Sequence, residues 1–366
     1  MTLILRRTLL AGAAAATLPS LALRAAAQER RFEPRPGAWR TFEITTRVEI
    51  PVANGTTRVW LPVPSVDDDY QRTGTNEWRT NGAAALGAEP VYGARFLQVE
   101  FPASQATPFV ELTSRFQTQD RAENWSAKSE PRLSRAELAP WLKPTELVPL
   151  DGIVLKTARE ITAGARTDEE KSRKIYDWIV ANTFREPKVR GCGTGDIKTM
   201  LETGNMGGKC GDINGLFVGL CRAAGVPARD VYGIRVAPSA FGYRELGGNS
   251  ANLKSAQHCR AEVYLAGHGW VAMDPADVGK VMRLETPQWI KSTSDPVVAP
   301  VYRSLYGGWE GNWLGFNQAH DVALPGSKGD KLGFFMYPVA EDAKGRFDSL
   351  APDEFKYTIT AREIRT

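Results

Sequence analysis

The sequence predicts an α+β protein in which a β-sandwich precedes a mixed domain of helices and strands. Three observations predict it. Apolar and polar residues alternate in the strand manner early in the chain, as at Phe42 to Ile50. From about Leu133 the apolar period becomes that of helices. Alternating runs then return at Ala261 to Leu265, Trp270 to Met273 and Phe355 to Ile364. With 366 residues and 42% apolar composition the chain can bury the cores of one large or two ordinary domains, which excludes disorder of the whole.

The chain opens on Met1 to Arg7, an apolar stretch from Leu9 to Leu23, and Ala25-Ala26-Ala27. That is the order of a secretory signal, and residues 1–27 are expected to be one. Arg6-Arg7-Thr8-Leu9-Leu10 resembles a twin-arginine leader; a general secretory leader with a basic start is the alternative. The apolar run falls short of the roughly 20 residues that a spanning helix needs, so no membrane span is expected after cleavage and the mature protein is expected in the periplasm or outside the cell. The net charge of +4 includes Arg6, Arg7 and Arg24 with no acid beside them. The mature chain is left with about +1, which is no nucleic-acid footprint.

Residues 38–126 are assigned to the β-sandwich. Asn54-Gly55 supplies a hairpin turn between the Phe42 to Ile50 run and Val59-Trp60-Leu61, and further strands are expected at Arg95 to Phe101 and Phe109 to Gln117. A boundary near Ser126 to Pro131 leaves 132–366 as a second domain with a C-terminal extension. Thr167-Asp168-Glu169-Glu170 reads as a capped helix start before Ile175, Trp178 and Ile179. A glycine-rich loop is expected from Pro187 to Lys209, and a helix from Cys210 to Ala224, closed by Gly225 with Pro227 beyond it.

On that helix Cys210 shares a stripe with Ile213, Phe217, Leu220 and Ala224, so its sulfur should point inward at a helix N-terminus. The helix dipole and neighbouring Lys209 favour a thiolate there, and the unpaired N–H groups suit a developing oxyanion. Taken alone, Cys210 is equally a structural cysteine packed at a helix end. His258 precedes the Cys259 to Leu265 strand, which turns and returns as Trp270 to Asp274. If Ala266, Gly267 and His268 form the connection, residue 258 pairs with 276, and His258 and Asp274 share a face. A thiolate to attack a carbonyl, an imidazole to move the proton and a carboxylate to fix the tautomer make one chemical set: Cys210, His258 and Asp274. Their structural alternatives are a satisfied histidine at a core or edge, and a carboxylate that caps the turn before Pro275.

Gly207-Gly208-Lys209-Cys210 through Ala224-Gly225-Val226-Pro227-Ala228-Arg229, then Gln257-His258-Cys259-Arg260-Ala261-Glu262, Gly269-Trp270 and Met273-Asp274-Pro275 resemble the transglutaminase-like superfamily of papain-fold cysteine enzymes. The resemblance covers roughly Ile153 to Val278. It implies a papain-like, transglutaminase-like catalytic domain with a Cys210–His258–Asp274 triad, and it does not supply the substrate. No acidic loop matches the calcium sites of eukaryotic transglutaminases, and no cofactor or metal is expected.

Other residues carry weaker signals. His268 should be solvated in its turn, and His320 is a minor candidate for a second site residue. Cys221 reads as an inert core thiol. Tyr306, Trp309, Trp313 and Phe316 have helical spacing, which favours core over a sugar platform. Gly191-Cys192-Gly193-Thr194-Gly195 lacks the GK[ST] of a phosphate loop. A zinc site from Cys192, Cys210, His258 and Cys259 lacks the usual CxxC spacing. In an oxidising compartment two exposed thiols would be a liability, so a Cys192–Cys259 disulfide, bonded behind the sheet while His258 faces Cys210, stands beside the alternative of two unpaired thiols.

These residues favour a cysteine hydrolase that cuts peptide or amide bonds through a thioester on Cys210, with a peptide or protein, including cell-wall peptide, as partner. Protein crosslinking at glutamine and a non-catalytic binding protein are the alternatives. Arylamine acetyltransferases share the residue order, but their acyl-CoA donor is cytoplasmic.

Overall fold

A computed structural model describes residues 30–51, 53–128 and 133–365. The expected leader lies outside these, as does half of the expected boundary segment Ser126 to Pro131.

Two antiparallel sheets form the first layer pair. One has four strands in the order Tyr357–Ile364, Arg40–Glu49, Phe109–Thr118, Gln71–Thr80. The other has five, in the order Gly345–Arg346, Val339–Asp342, Thr57–Pro62, Arg95–Phe101, Ala83–Ala88. Alternation puts Phe42, Ile44, Val48, Leu112 and Phe116 of the first sheet into one core with Val59, Leu61, Leu97, Val99 and Phe101 of the second. Asn54-Gly55 does turn, with Gly55 at φ 84°. It closes no hairpin, however, because the flanking strands belong to different sheets. What holds it is Asp342, which accepts from the Asn54 N–H at 3.0 Å and from its Nδ2 at 2.9 Å.

The C-terminal strands, grouped by sequence with the catalytic half, thus pair into the sandwich: Thr41 lies opposite Ile364 and Trp60 opposite Val339. Gln71–Thr80 and Ala83–Ala88 escaped the sequence reading for a physical reason. Both are edge strands with mostly solvated side chains, so no buried face imposes alternation on them.

The second half is built around a four-stranded antiparallel sheet ordered Gly269–Met273, Gln257–Leu265, Ala228–Arg235, Trp313–Asn317. Every residue of Ala228–Arg235 and of Gln257–Leu265 is buried. The helix Asp168–Asn182 begins at the expected capping box, Thr167 with Glu170. Cys210–Ala223 is helical as expected but is buried all round rather than on one stripe. Glycine at every fourth position permits that: a Cβ on Gly219 would lie 2.2 Å from Ile197 Cδ1, and one on Gly211 2.8 Å from the Cys192 carbonyl oxygen. Ile197 belongs to a short helix, Ile197–Thr203, inside the segment expected to be loop. Trp309, Trp313 and Phe316 are core residues, but they lie on the strands Gly308–Trp309 and Trp313–Asn317 and not on a helix.

Candidate functional site

Cys210 is the first residue of its helix and is 2% exposed. Asp212, two residues on, pins the helix start: it accepts from the N–H groups of Lys209, Thr194 and Gly195, each at 2.9 Å. The glycine loop is thereby clamped against the Cys210 helix. Gly193 sits at φ 88° and a Cβ there would collide with the Asp212 carboxylate, so side-chain-free backbone is required.

The hairpin register is the one inferred from a three-residue connection: Leu265 lies opposite Gly269 and Ala261 opposite Met273. The chain leaves the strand at Asp274, which caps the helix Pro275–Leu284. Its two oxygens divide the work. Oδ1 accepts from Asp277 N–H and Asn214 Nδ2, both at 3.1 Å, while Oδ2 binds His258 Nε2 at 2.7 Å. The capping and histidine-orienting readings of Asp274 are therefore both present in one carboxylate. With Nε2 taken, Nδ1 is the ring nitrogen left for Cys210.

Burial works against a charged Cys210, yet its pKa lies well below the ordinary thiol value, because the Cys192 and Cys259 thiols and His258 stabilise the thiolate. For His258, burial and Arg235 oppose protonation, but the Asp277 and Asp274 carboxylates outweigh them and raise its pKa. Proton transfer from thiol to imidazole is thus favoured from both ends.

Two contributors were not read from the sequence. Asn214, one turn after Cys210, ties the helix to the sheet through Cys259 O at 2.9 Å as well as to Asp274. Asp277 lies 3.4 Å from His258 Nε2 and is gripped by Arg235 at 2.6 and 2.8 Å. Burial would raise Asp277; the Arg235 and His258 charges instead hold it well below the carboxylate range. Helical and strand periodicity could have flagged Asn214 beneath Cys210, but the partner of Asp277 comes from a strand that charged residues disguised.

A family model, that of the transglutaminase-like superfamily, matches residues 155–275. An uncharacterized protein of Haemophilus influenzae is 34% identical over 344 residues, covering 88% of this chain and 91% of that relative. The chain belongs to the transglutaminase-like superfamily. A candidate cysteine protease from Cytophaga hutchinsonii shares the fold, with a TM-score of 0.55 at 15% identity over 90% of this chain and 92% of that one. The periplasmic domain of TgpA from Pseudomonas aeruginosa aligns at a TM-score of 0.33 and 15% identity, covering 70% of this chain and 98% of that one.

Within this transglutaminase-like protein the remaining candidates fall differently from expectation. No disulfide joins Cys192 and Cys259; all four cysteines are free and buried. Cys259 does not lie behind the sheet, away from the Cys210 helix. Its sulfur, that of Cys192 and that of Cys210 all lie within 4.8 Å of one another. His268 is packed rather than solvated, its Nδ1 2.9 Å from Glu123 Oε1 and its ring against Trp125. His320 is buried beside Tyr232 and Asp230, with Nδ1 3.2 Å from the Tyr232 hydroxyl. Burial lowers the His320 pKa well below the usual imidazole value and raises that of Asp230 to about 7. Cys221, by contrast, is a wholly buried core thiol in its helix, as expected.

Beside the glycine loop opens a largely apolar cleft of about 300 Å³, lined by Cys192, Leu332, Phe334, Tyr337 and Leu350 among others. Among the described residues no helix is long and apolar enough to cross a membrane.

Proposed function

We propose that this transglutaminase-like protein is an exported cysteine hydrolase that opens peptide or amide bonds through a thioester on Cys210. The observation that carries the reading is the Asp274–His258 pair at 2.7 Å beside a thiol whose pKa is pulled down. The Cys210 thiolate attacks the carbonyl carbon, and protonated His258 gives its proton to the departing amine. Neutral His258 then takes a proton from water, which hydrolyses the thioester, while Asp274 holds the ring and stabilises the imidazolium. Gly211 N–H is committed to the Cys192 carbonyl at 2.8 Å, so the oxyanion donor at the helix start is the Cys210 N–H itself.

The apolar cleft beside Cys192 suits a peptide with a hydrophobic side chain near the scissile bond, including cell-wall peptide. Export rests on the leader-like residues 1–27. The test is to incubate the mature protein and its C210A variant with a peptide mixture and identify new termini. Cleavage lost in C210A supports the reading. Ammonia release from glutamine peptides that needs an added amine, with covalent crosslinks formed, replaces it with transamidation; failure of iodoacetamide to label Cys210 at neutral pH replaces it with a binding protein.

A further inference from the structure

The proposed nucleophile shares its surroundings with two more thiols than its chemistry requires. Cys192, Cys210 and Cys259 have their sulfurs within 4.8 Å of one another, all three free and buried. We propose that Cys192 is a resolving thiol, which captures Cys210 after its oxidation by a peroxide and stores it as a reducible Cys192–Cys210 disulfide. The proposal rests on the reading of Cys210 as the reactive thiol.

A trithiolate metal site is the other use for such a cluster. It needs three deprotonated sulfurs. Here the pKa of Cys192 is raised, by its hydrogen bond with Cys210 first, and burial raises that of Cys259, while Cys210 alone is lowered. One thiolate flanked by two thiols is the arrangement from which oxidation and capture start.

Two thiols could do the capturing, and the backbone separates them. Cys259 sits in an inner strand opposite Tyr232, with its carbonyl held by Asn214 Nδ2 at 2.9 Å. Moving it toward Cys210 would break the sheet ladder. Cys192 lies in the loop between Gly191 at φ 54° and Gly193 at φ 88°, on the wall of the cleft. Its carbonyl accepts from Gly211 N–H at 2.8 Å, which tethers it beside the residue that follows Cys210. Its sulfur makes polar contacts at 3.3 Å with Gln257 O and the Tyr337 hydroxyl, besides its hydrogen bonds with the Cys210 and Cys259 sulfurs, and none of these is part of a helix or sheet ladder. Cys192 can therefore swing without unmaking secondary structure, and the cleft opens onto it.

The chemistry balances in two steps. The Cys210 thiolate attacks one oxygen of hydrogen peroxide; the O–O bond breaks, the sulfur loses two electrons and becomes a sulfenic acid, and hydroxide leaves. The Cys192 sulfur then attacks the sulfenic sulfur; an S–S bond forms, the S–O bond breaks, and the hydroxyl leaves with the Cys192 proton as water. Without a resolving thiol, a second peroxide carries Cys210 on to the irreversible sulfinic acid.

The experiment exposes the mature wild-type protein, Cys192→Ser and Cys259→Ser to graded hydrogen peroxide. Remaining thiols are blocked with iodoacetamide and the digests are read by mass spectrometry. In wild type and Cys259→Ser the expected product is a linked pair of peptides carrying Cys192 and Cys210, with two hydrogens lost. In Cys192→Ser the expected product is Cys210 sulfinic acid. Dithiothreitol should restore most of the lost activity in wild type, and at least about tenfold less of it in Cys192→Ser, each scored against its own unoxidised sample. A Cys210–Cys259 bridge, or sulfinic acid on wild-type Cys210 with no bridge, overturns the proposal. The mass-spectrometric arm needs no turnover. Activity retained by C210A would sink the hydrolase reading, whereas a missing bridge sinks this one alone.

Discussion

The two halves of the molecule place their charges in opposite ways. In the sandwich, ion pairs lie on outward faces: Arg362 with Glu43 at 2.6 Å, Arg40 with Glu363 at 2.8 Å, Arg58 with Glu100 at 2.7 Å. Arg362 is 73% exposed. In the sheet that carries His258 the pairs are interior. Glu262 is fully buried between Arg121 and Arg229, Arg235 with Asp277 is 3% and 2% exposed, and Asp274 is buried beside Arg260 at 3.6 Å. An exposed pair gains little over solvation by water, whereas a buried group stripped of its partner pays desolvation with nothing in return. The sandwich can lose charges and stand; the site sheet cannot, because its charges hold a histidine and a thiol in altered protonation states.

The largest effect expected from that contrast is at Cys210. Replacement by Ala should remove turnover by several powers of ten while thermal unfolding shifts little, since a small side chain is tolerated at a helix start. Activity above roughly a tenth of wild type would falsify the nucleophile assignment. Asp274→Asn comes next, with kcat/KM lowered about 10²- to 10⁴-fold, because the amide cannot stabilise imidazolium. An unchanged rate would move the orienting role to Asp277.

Glu262→Ala tests the buried charges away from the thiol. It leaves Arg121 and Arg229 facing each other without their carboxylate, and denaturant unfolding should show a loss of about 3–5 kcal/mol. A loss under about 1 kcal/mol would mean that the interior pairs behave like surface ones.

The pH profile follows from the directions of the shifts. Since the Cys210 pKa is lowered, the thiolate, and with it the rising limb of kcat/KM, should appear well below the ordinary thiol value of about 8.5. Since the His258 pKa is raised, the imidazolium should persist above about 6.5, and the falling limb should lie on that side. In Asp274→Asn the falling limb should move to lower pH, because a carboxylate that helps to hold the proton is gone. A falling limb that stays put would show that Asp277 alone sets it. The smallest effect is expected for Arg362→Ala on the sandwich, within about 0.5 kcal/mol in the same unfolding measurement. A larger loss would break the contrast from its other side.

How much of this was legible depends on how local each signal was. The Cys210 helix, its glycine stop and the Thr167 capping box are set by neighbours within four residues, and the structure places them as read. The register that puts Ala261 opposite Met273 followed from one turn length. Ala228–Arg235 was missed because Arg229, Asp230 and Arg235 spoil its apolar run, although all three are buried. Only partners distant in sequence make those charges tolerable: Glu262 for Arg229 and Asp277 for Arg235.

What the sequence alone determined is therefore the set of chemical groups and the local elements that carry them: a thiol at a helix N-terminus, a histidine on a strand, a carboxylate at the turn after the next one. Propensity, capping and turn length act over a few residues, and they do not depend on where the element finally lies. The tertiary structure alone decided that the C-terminal strands close the sandwich against Arg40–Glu49, since strand pairing across 300 residues leaves no mark in either strand. It also decided that Cys259 joins Cys210 and Cys192 with all three thiols free, where the sequence leaves open both a Cys192–Cys259 bridge and two unpaired thiols. Alternation states only that neighbouring strand residues face opposite ways. Which face meets the Cys210 helix is settled by packing: Asn214 of that helix reaches the Cys259 carbonyl, glycine at 211 lets the Cys192 backbone close on the same helix, and three sulfurs come to lie side by side.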